Sequence, residues 1–460
     1  MSTKGNSTTA RLVSGPVGGG LMRLTTPMIL GISSSIIAGL IETWYLSQLG
    51  TTTVAAYSFT FPVTSSLMSL SLGISIGVSS VLARTVGSGN SSKVRRIATD
   101  GISLVAIIMI LLSIVGLQTI EFIFSLLGAD ATTMPLIYEY MGIWYFSMLF
   151  LAIPSVGANA LRATGDARIS GTIMVGGSIL QVILGPFLIF GWLGLPELGI
   201  KGAAIANLIA RFSLFLITMY ILAFREHLLD YHDMKLSEVL DSWKQIFAVS
   251  IPATATQLIS PISTAVIVSL LAGYSQETVA GFGIASRIEG LFVIPLFALS
   301  ASIGPFVGQN WGGNYLRRAN QAMLLSFKYS LAWGLFVALL LVFFGNQIAS
   351  QFDDNPDVVA VAAAYLMIVP VSYGAWGVLM MSSAIFNSLG KPISSTIMSV
   401  IRMFVIYIPL AYLGKFLFGY IGIFAAACIS NAVMGTLAFA WNRKTYRPEI
   451  QAISAAGVNE

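Results

Sequence analysis

A single glutamate interrupts the first long apolar part of this chain. Glu42 lies in the stretch AGLIETWYLSQLG, and it is the only charged residue between Arg23 and Arg84. Acidic residues inside membrane segments are rare and usually functional, because a charge is costly in an apolar surrounding. A carboxyl group in a poorly hydrated cavity favours its neutral form and can carry a proton. Glu42 is therefore a candidate proton carrier.

The neighbours of Glu42 indicate which way its side chain faces. Ser35, Ala38, Glu42 and Tyr45 share one helical face by three- and four-residue spacing. Small and polar members can line a cavity, so Ser35 and Tyr45 are candidate cavity residues. Counting about 1.5 Å per residue from Arg23 places Glu42 in the outer half of a membrane.

Other charged groups interrupt later apolar runs. Glu289 lies near the start of a run in the second half of the chain, and it is a further candidate cavity residue. Arg211, Arg402 and Lys328 also lie in apolar runs. For these basic groups we favour structural pairing or snorkelling over transport chemistry.

Composition determines the elements that must hold these residues. The chain has 460 residues, of which 56% are hydrophobic and 9% are charged, and its mean hydropathy is +0.84. Soluble domains carry about 25% charged residues, so this chain belongs in a bilayer. Long apolar runs without alternation predict helices rather than strands. The fold class is all-α polytopic, with twelve transmembrane helices in two pseudo-symmetric six-helix bundles around a central cavity. The predicted spans are Leu24–Leu49, Val54–Leu82, Ile102–Leu127, Met134–Ala160, Ile169–Trp192, Gly202–Phe224, Ile246–Leu271, Val279–Val307, Ala322–Phe344, Val358–Leu389, Ile393–Leu413 and Phe418–Trp441.

The charge distribution predicts the topology. With the amino terminus in the cytoplasm, segments on that side hold most of the lysines and arginines, whereas the opposite segments are mainly acidic. This positive-inside bias places both termini in the cytoplasm. It also explains the net charge of +5 without nucleic acid. The predicted organisation is a cytoplasmic tail at 1–20, a bundle at 21–224, a cytoplasmic linker at 225–245, a second bundle at 246–442 and a cytoplasmic tail at 443–460.

Chemistry of other kinds has little support in the sequence. His227 and His232 both lie in the polar linker without a nearby cysteine, so we interpret it as hydrated chain rather than a metal site. The one cysteine, Cys428, cannot form an internal disulfide. The GxxxxGK[ST] motif of nucleotide binding and the HExxH motif of zinc hydrolysis do not occur in the sequence. We expect no enzyme activity, no cofactor and no metal.

The two halves of the chain repeat each other. The prolines in LTTPMILG and VSIPATAT, Pro27 and Pro252, lie 225 residues apart. The same offset separates Gly165 in NALRATGDARISGTIM from Gly390 in AIFNSLGKPISSTIM. Because six spans separate equivalent positions, both halves cross the membrane in the same direction. This arrangement is found in one class of secondary transporters.

Several of these motifs resemble the multidrug and toxic compound extrusion (MATE) family. They include Pro27 in span one, ETWYLSQLG leading to VAAYSF, LRATGDAR after span four and NSLGKP after span ten. The stretch SRIEGLFVIPLFALSASIGPFVGQNWGGN, residues 286–314, is also similar. The likeness covers nearly the whole chain and is greatest to the DNA-damage-inducible (DinF) branch of bacterial members.

The resemblance implies roles for individual residues. A carboxylate of span one in that family is implicated in cation binding, and Glu42 occupies its place. Span five of the family often has an asparagine and, four residues later, an aspartate; here Gln181 and Gly185 stand there, so the second acid is missing. The resemblance further implies polar cavity positions at Tyr140, Asn207 and, in span seven, Gln257.

These observations predict a secondary multidrug exporter that exchanges hydrophobic or cationic small molecules for a cation by alternating access. We favour the proton, because sodium needs several oxygen ligands. Sodium coupling and a lipid-linked precursor flippase remain alternatives, and a receptor or scaffold would leave Glu42 without a purpose. The expected partners are the proton or sodium, small-molecule drugs and membrane lipids, and we expect a monomer.

Overall fold

Helices account for nearly all of the chain. The computed structural model describes residues 10–230 and 235–455. Within these ranges the α-helices are α1 (Val17–Ser47), α2 (Thr51–Gly87), α3 (Ser91–Gln118), α4 (Ile120–Leu126), α5 (Met134–Ala163), α6 (Ala167–Ile189), α7 (Gly199–Tyr220), α8 (Leu236–Ala272), α9 (Gln276–Phe292), α10 (Ile294–Gly312), α11 (Leu316–Ala349), α12 (Pro356–Ile368), α13 (Tyr373–Ser388), α14 (Pro392–Val400), α15 (Ile408–Phe418) and α16 (Tyr420–Ala455).

The helices give the number of spans that hydropathy predicts. Eleven helical segments in the described chain are long and apolar enough to cross a membrane, and α9 and α10, which meet at 48°, form a twelfth. Two other spans are composite. A short 3₁₀ segment joins α12 to α13, and a π-helical segment, Ile401–Tyr407, joins α14 to α15. The protein is therefore an all-α polytopic membrane protein with twelve spans.

Turn geometry repeats along with the spans. Gly165, which precedes α6, has φ of +94°, and Gly390, which precedes α14, has φ of +73°. Glycine adopts this left-handed backbone without steric cost. The side chain of Asp166 then starts α6 by accepting hydrogen bonds from the backbone N–H groups of Arg168 and Ile169. The 225-residue repeat thus includes the conformation of a turn as well as the sequence around it.

The described chain divides into two compact units. Unit 1 comprises residues 10–11 and 26–254, and unit 2 comprises residues 12–25 and 255–455. Unit 1 has a core around Phe124, Trp144 and Tyr145, whereas Phe386 and Phe424 are among the largest buried side chains of unit 2. Helix α1 contributes to both units, because its first residues pack within unit 2.

Contacts to polar side chains hold the start of the chain in unit 2. The backbone N–H of Leu12 donates to Oε1 of Gln309 at 3.0 Å, and Asn310 Nδ2 donates to the Leu12 carbonyl at 3.1 Å. Arg318 donates to the carbonyl of Gly15 at 2.8 Å. These bonds satisfy backbone groups just before α1 begins.

Three helix ends extend into segments that the sequence predicts as tails or linker. Helix α1 begins at Val17, so the end of the predicted tail is helical, and α16 continues to Ala455. Helix α8 begins at Leu236, inside the predicted linker. This segment is anchored in unit 1 by an ion pair between Arg96 and Glu238 and by a hydrogen bond from Trp243 to the Asp100 carbonyl. Helix α8 therefore begins within the predicted linker, where its polar residues form an ion pair and a hydrogen bond with residues of α3.

Some predictions fall where the structure gives no test. The predicted domain boundaries remain predictions. His232, residues 1–9 of the predicted amino-terminal tail and residues 456–460 of the carboxyl-terminal tail lie outside the described residues. Within those that are described, no three His, Cys, Asp or Glu side chains form a group that could hold a metal ion.

Candidate functional site

Small residues allow α1 and α6 to pack closely in unit 1. A Cβ atom on Gly171 would lie 2.5 Å from the Pro27 carbonyl oxygen, and one on Gly31 would lie 3.0 Å from the sulfur of Met174. Further along, the Oγ atoms of Ser35 and Ser178 are 3.4 Å apart. We call Pro27, Gly31, Ser35, Gly171 and Ser178 the α1–α6 seam. It brings the next turns of the two helices within hydrogen-bonding distance.

Glu42 lies where the seam ends, and its carboxylate is held by two amide groups. Asn207 Nδ2 on α7 donates to Oε1 at 2.6 Å, and Gln181 Nε2 on α6 donates to Oε2 at 2.8 Å. The side chain of Glu42 is buried, with 9% of the residue's surface exposed. Hydrogen bonds to a charged group are among the stronger ones, and they offset part of the cost of burying it. Three helices therefore meet at one carboxylate.

A tyrosine pair and an arginine complete the surroundings of the carboxylate. Tyr140 on α5 is 3% exposed and interacts with Glu42 through its hydroxyl, and its ring meets Tyr57 of α2 edge-on at 5.4 Å. Arg211 lies one helical turn after Asn207 and interacts electrostatically with Glu42. The site thus has one acid, one base and several neutral donors.

Arg211 is fixed by contacts of its own. Its Nη1 donates to Ser147 Oγ at 2.6 Å, and its guanidinium lies 5.3 Å from the centre of the Trp144 ring. Both partners are on α5 and are buried. A guanidinium over an aromatic face is favourable, and more so where water is excluded. These contacts therefore hold the guanidinium inside the protein, on the same helix as Asn207, and not at the solvent-exposed surface.

The Tyr45 ring packs against Gly185, the position where the resemblance implies a second acid. The Tyr45 hydroxyl donates to the Val182 carbonyl at 3.3 Å. A Cβ atom on Gly185 would be 2.9 Å from the nearest ring carbon, closer than real side chains approach. The free space beside Glu42 is only about 10 Å³. The aromatic ring thus explains why a glycine, and no acid, stands at position 185.

The structure brings together most of the residues that the sequence assigned to the first bundle. Glu42, Tyr45, Gln181 and Asn207 line one small cavity, and Tyr140 contacts the same carboxylate. Ser35 does not join them, because it lies two helical turns away in the α1–α6 seam. Helical spacing placed Ser35 on the correct face but could not show how far along that face the cavity extends.

The two predicted site residues of the second bundle lie in unit 2. Glu289 accepts a hydrogen bond from the Tyr365 hydroxyl at 2.6 Å and interacts electrostatically with Arg402. Tyr365 follows Tyr140 by 225 residues, so the repeat places a tyrosine beside an acid in each unit. Gln257 is half-buried on α8, and within the described part of the chain its side chain makes no hydrogen bond.

Two residues of the Glu42 site were missed by sequence reasoning. Arg211 was interpreted as a structural or snorkelling group, and Tyr57 was not singled out. A signal for Arg211 exists, since it follows Asn207 by four residues and must share its helical face. For Tyr57 the sequence gives no comparable signal, because its place depends on how α2 packs against α5.

Twelve spans, a duplicated plan and an ionisable group within the membrane are typical of secondary transporters. Comparison with known proteins agrees with this class. The MatE family model matches twice, at residues 27–187 and 252–413, and the two matches begin 225 residues apart. Together they cover well over half of the chain. The chain belongs to the multidrug and toxic compound extrusion (MATE) family, and its nearer likeness to the DinF branch remains a prediction.

Individual relatives match over nearly their full length. A FAD transporter of Shewanella oneidensis is 36% identical over 424 residues, which cover 92% of this chain and 94% of that protein. The probable multidrug resistance protein YoeA of Bacillus subtilis is 24% identical, and the match covers 88% of this chain and 89% of that protein. The crystal structure of the Vibrio cholerae MATE transporter VcmN in the bent form has a TM-score of 0.88 at 28% identity, covering 94% of this chain and 98% of that one.

The contact between Tyr45 and Gly185 makes a prediction about the missing acid. Gly185→Asp should destabilise the protein, by about 1–3 kcal/mol if it behaves as an overpacked core, because the new side chain meets the Tyr45 ring. The double variant with Tyr45→Ala should recover part of this loss, whereas the double variant with Tyr45→Phe should not. Melting temperatures of the purified variants in detergent measure the effect. Equal melting temperatures for both double variants would show that the ring does not exclude the acid.

Proposed function

We propose that this transporter exports small molecules from the cytoplasm in exchange for protons that bind at Glu42. The observation that carries the proposal is the buried carboxylate of Glu42 with amide donors from α6 and α7. A titratable group in this position can respond to pH and act on three helices at once. Tyr140, Gln181 and Asn207 are its proposed partners, and Tyr45 closes the cavity beside it.

Proton binding changes what Glu42 needs from its neighbours. The ionised carboxylate only accepts hydrogen bonds, whereas the protonated form also carries a donor. A buried donor without an acceptor is costly. An amide of Gln181 or Asn207 that turned over would present its oxygen to the new donor. Protonation therefore alters the bonds that join α1 to α6 and α7, which is a route from proton binding to helix movement.

The surroundings of Glu42 favour the proton over sodium. Sodium is a hard cation that binds oxygen ligands, but the two amide groups direct N–H donors at the carboxylate. The free volume of about 10 Å³ is close to the least that holds one water molecule. A proton needs neither a ligand cage nor added space.

The transported molecule has two candidate classes. Relatives named as multidrug proteins support the hydrophobic or cationic drugs that the sequence predicts. A second candidate is FAD itself, supported by 36% identity over nearly the full length to a FAD transporter. FAD combines flat ring systems with negatively charged phosphates, so it makes different demands from a cationic drug. Bacterial relatives support a place in the cytoplasmic membrane, and the charge distribution of the loops supports a topology with both termini inside.

The proton role of Glu42 can be tested in proteoliposomes. Glu42→Gln keeps the size of the side chain but removes the group that titrates. We expect it to lose export driven by a pH gradient, with the rate falling to that of liposomes without protein. Glu139→Gln, which changes an exposed acid of α5, is the matched control and should export normally. Normal pH-driven export by Glu42→Gln would refute the proton role.

The two substrate classes can be distinguished in the same liposomes. FAD and ethidium are tested in separate assays under the same pH gradient. If FAD is the substrate, FAD should accumulate and excess unlabelled FAD should suppress its uptake, while ethidium moves at the background rate. A multidrug exporter should accumulate ethidium and be indifferent to FAD. Accumulation of neither probe by folded, reconstituted protein would count against both classes.

A further inference from the structure

Three spans of unit 2 are interrupted where the equivalent spans of unit 1 are not. The 225-residue offset maps α2 onto α9 and α10, α5 onto α12 and α13, and α6 onto α14 and α15. In unit 1 each of these spans is one unbroken helix. In unit 2 they contain the bend at Val293, the 3₁₀ segment Val369–Ser372 and the π-helical segment Ile401–Tyr407. The fold therefore does not require the interruptions, and such features within helices often mark functional sites.

Glu289 lies beside two of these interruptions. It precedes Val293, the residue between α9 and α10, by one helical turn. Its carboxylate accepts a hydrogen bond from the Tyr365 hydroxyl at 2.6 Å, and the Tyr373 hydroxyl interacts with it as well. Tyr365 lies one turn before the 3₁₀ segment, and Tyr373 follows it directly. One acid therefore contacts both flanks of the 3₁₀ segment.

Buried polar side chains connect the 3₁₀ segment with the π-helical segment. Ser372 Oγ, in the first, accepts a hydrogen bond from Asn431 Nδ2 at 3.0 Å. Asn431 Oδ1 accepts a hydrogen bond from Arg402 Nη1, in the second, also at 3.0 Å. Ser372 and Asn431 are both buried. Because buried polar groups need partners, a change in one segment must be accommodated by the other.

Glu289 has partners for both of its protonation states. The charged and titratable groups that face it are Tyr365 on α12, Tyr373 on α13 and Arg402 on the π-helical segment. The ionised carboxylate accepts the Tyr365 hydrogen bond and is favoured by the positive charge of Arg402. The neutral carboxyl group carries no charge to bury, and it becomes a donor for which the Tyr373 oxygen is an acceptor. Arg402 forms no ion pair with Glu289 in the described part of the chain, so a proton need not displace a bound guanidinium.

We propose that Glu289 is a second proton-binding site of this transporter, separate from Glu42, and that a proton bound there changes the conformation of the interrupted spans of unit 2. Protonation removes the charge that the Tyr365 hydroxyl stabilises and adds a donor that Tyr373 can accept. The two flanks of the 3₁₀ segment thus exchange their bonding roles, and Asn431 transmits the change to the π-helical segment. The inference goes beyond the proposed function, because it does not require Glu42 to titrate.

Infrared difference spectra of purified protein between about pH 6 and about pH 9 isolate this site, because exposed carboxylates stay ionised over that range. Glu42→Gln serves as the background, so that Glu42 does not contribute. It should still lose a protonated-carboxyl band as the pH rises, whereas the double variant with Glu289→Gln should lose none. The double variant with Asp354→Asn, which changes an exposed acid of the same unit, should lose the band as the background does.

The single cysteine reports in the same spectra whether the interrupted spans respond. Cys428 lies on α16, one turn before Asn431, and its thiol interacts with the Ser372 hydroxyl. The S–H stretching band is separate from other protein bands, and Cys428→Ala identifies it. In the Glu42→Gln background this band should shift between the two pH values, and the shift should vanish when Glu289→Gln is added.

Tyr365→Phe in the same background keeps the test decisive if Glu289→Gln does not fold. It retains the acid but removes the hydroxyl that donates to the carboxylate, so the carboxyl band should be lost at a higher pH. Tyr412→Phe, which changes an exposed tyrosine of α15, is the matched control and should titrate as the background does.

Three results would overturn the proposal: a carboxyl band that persists with Glu289→Gln, an S–H band that does not depend on Glu289, or equal titration of Tyr365→Phe and Tyr412→Phe. The proposed function is tested separately by export. Normal pH-driven export by Glu42→Gln refutes the role of Glu42 and leaves the Glu289 spectra to be judged alone. Inactive Glu42→Gln without a Glu289 band refutes only the second site.

Discussion

The two hydrogen bonds from Asn207 and Gln181 to the Glu42 carboxylate are the interaction on which the rest of the site depends. An ionised group inside a membrane protein is tolerated only when it is paired or hydrogen-bonded. Here the partners come from two other helices, so the packing of α1, α6 and α7 is part of the site. The glycines and serines of the α1–α6 seam permit that packing, and the Tyr45 ring fills the remaining space against Gly185.

The repeat duplicates the scaffold but not the charges. Tyr140 and Tyr365 are equivalent by the 225-residue offset, and each interacts with an acid of its own unit. The acids themselves are not equivalent, because Glu42 lies on α1 whereas Glu289 lies on α9. The two units have therefore kept a tyrosine in a common place and acquired carboxylates on different helices. Adding 225 to the residue numbers of the site in one unit therefore does not identify a site in the other unit.

Much of the fold could be predicted because its signals are local. Long apolar runs predict spans, and the steady offset between Pro27 and Pro252 predicts the duplication. Gln181 and Asn207 were found through the family resemblance, and the structure brings both to Glu42. Features that depend on packing were not accessible. The break at Val293 between α9 and α10, the ring of Tyr45 above Gly185 and the anchoring of the linker on α3 each require knowledge of which surfaces meet.

Arg211 shows where sequence reasoning stopped short. A basic residue in an apolar run has many structural explanations, and the sequence around it does not show which carboxylate lies nearby in the fold. Its spacing from Asn207 contained the information, but only once Asn207 was known to bind Glu42. Charge placement in membrane proteins is thus a tertiary property, whereas hydropathy is a property of the local sequence.

Infrared difference spectra of the reconstituted protein, recorded between acidic and alkaline pH, test the central claim most directly. Protonated carboxyl groups and carboxylates absorb at different frequencies, so the spectra report which groups titrate. If Glu42 exchanges protons, the wild type should lose a protonated-carboxyl band as the pH rises, and that band should be missing from Glu42→Gln. A spectrum that is the same for both proteins would show that Glu42 does not titrate, and the account of this transporter would be wrong.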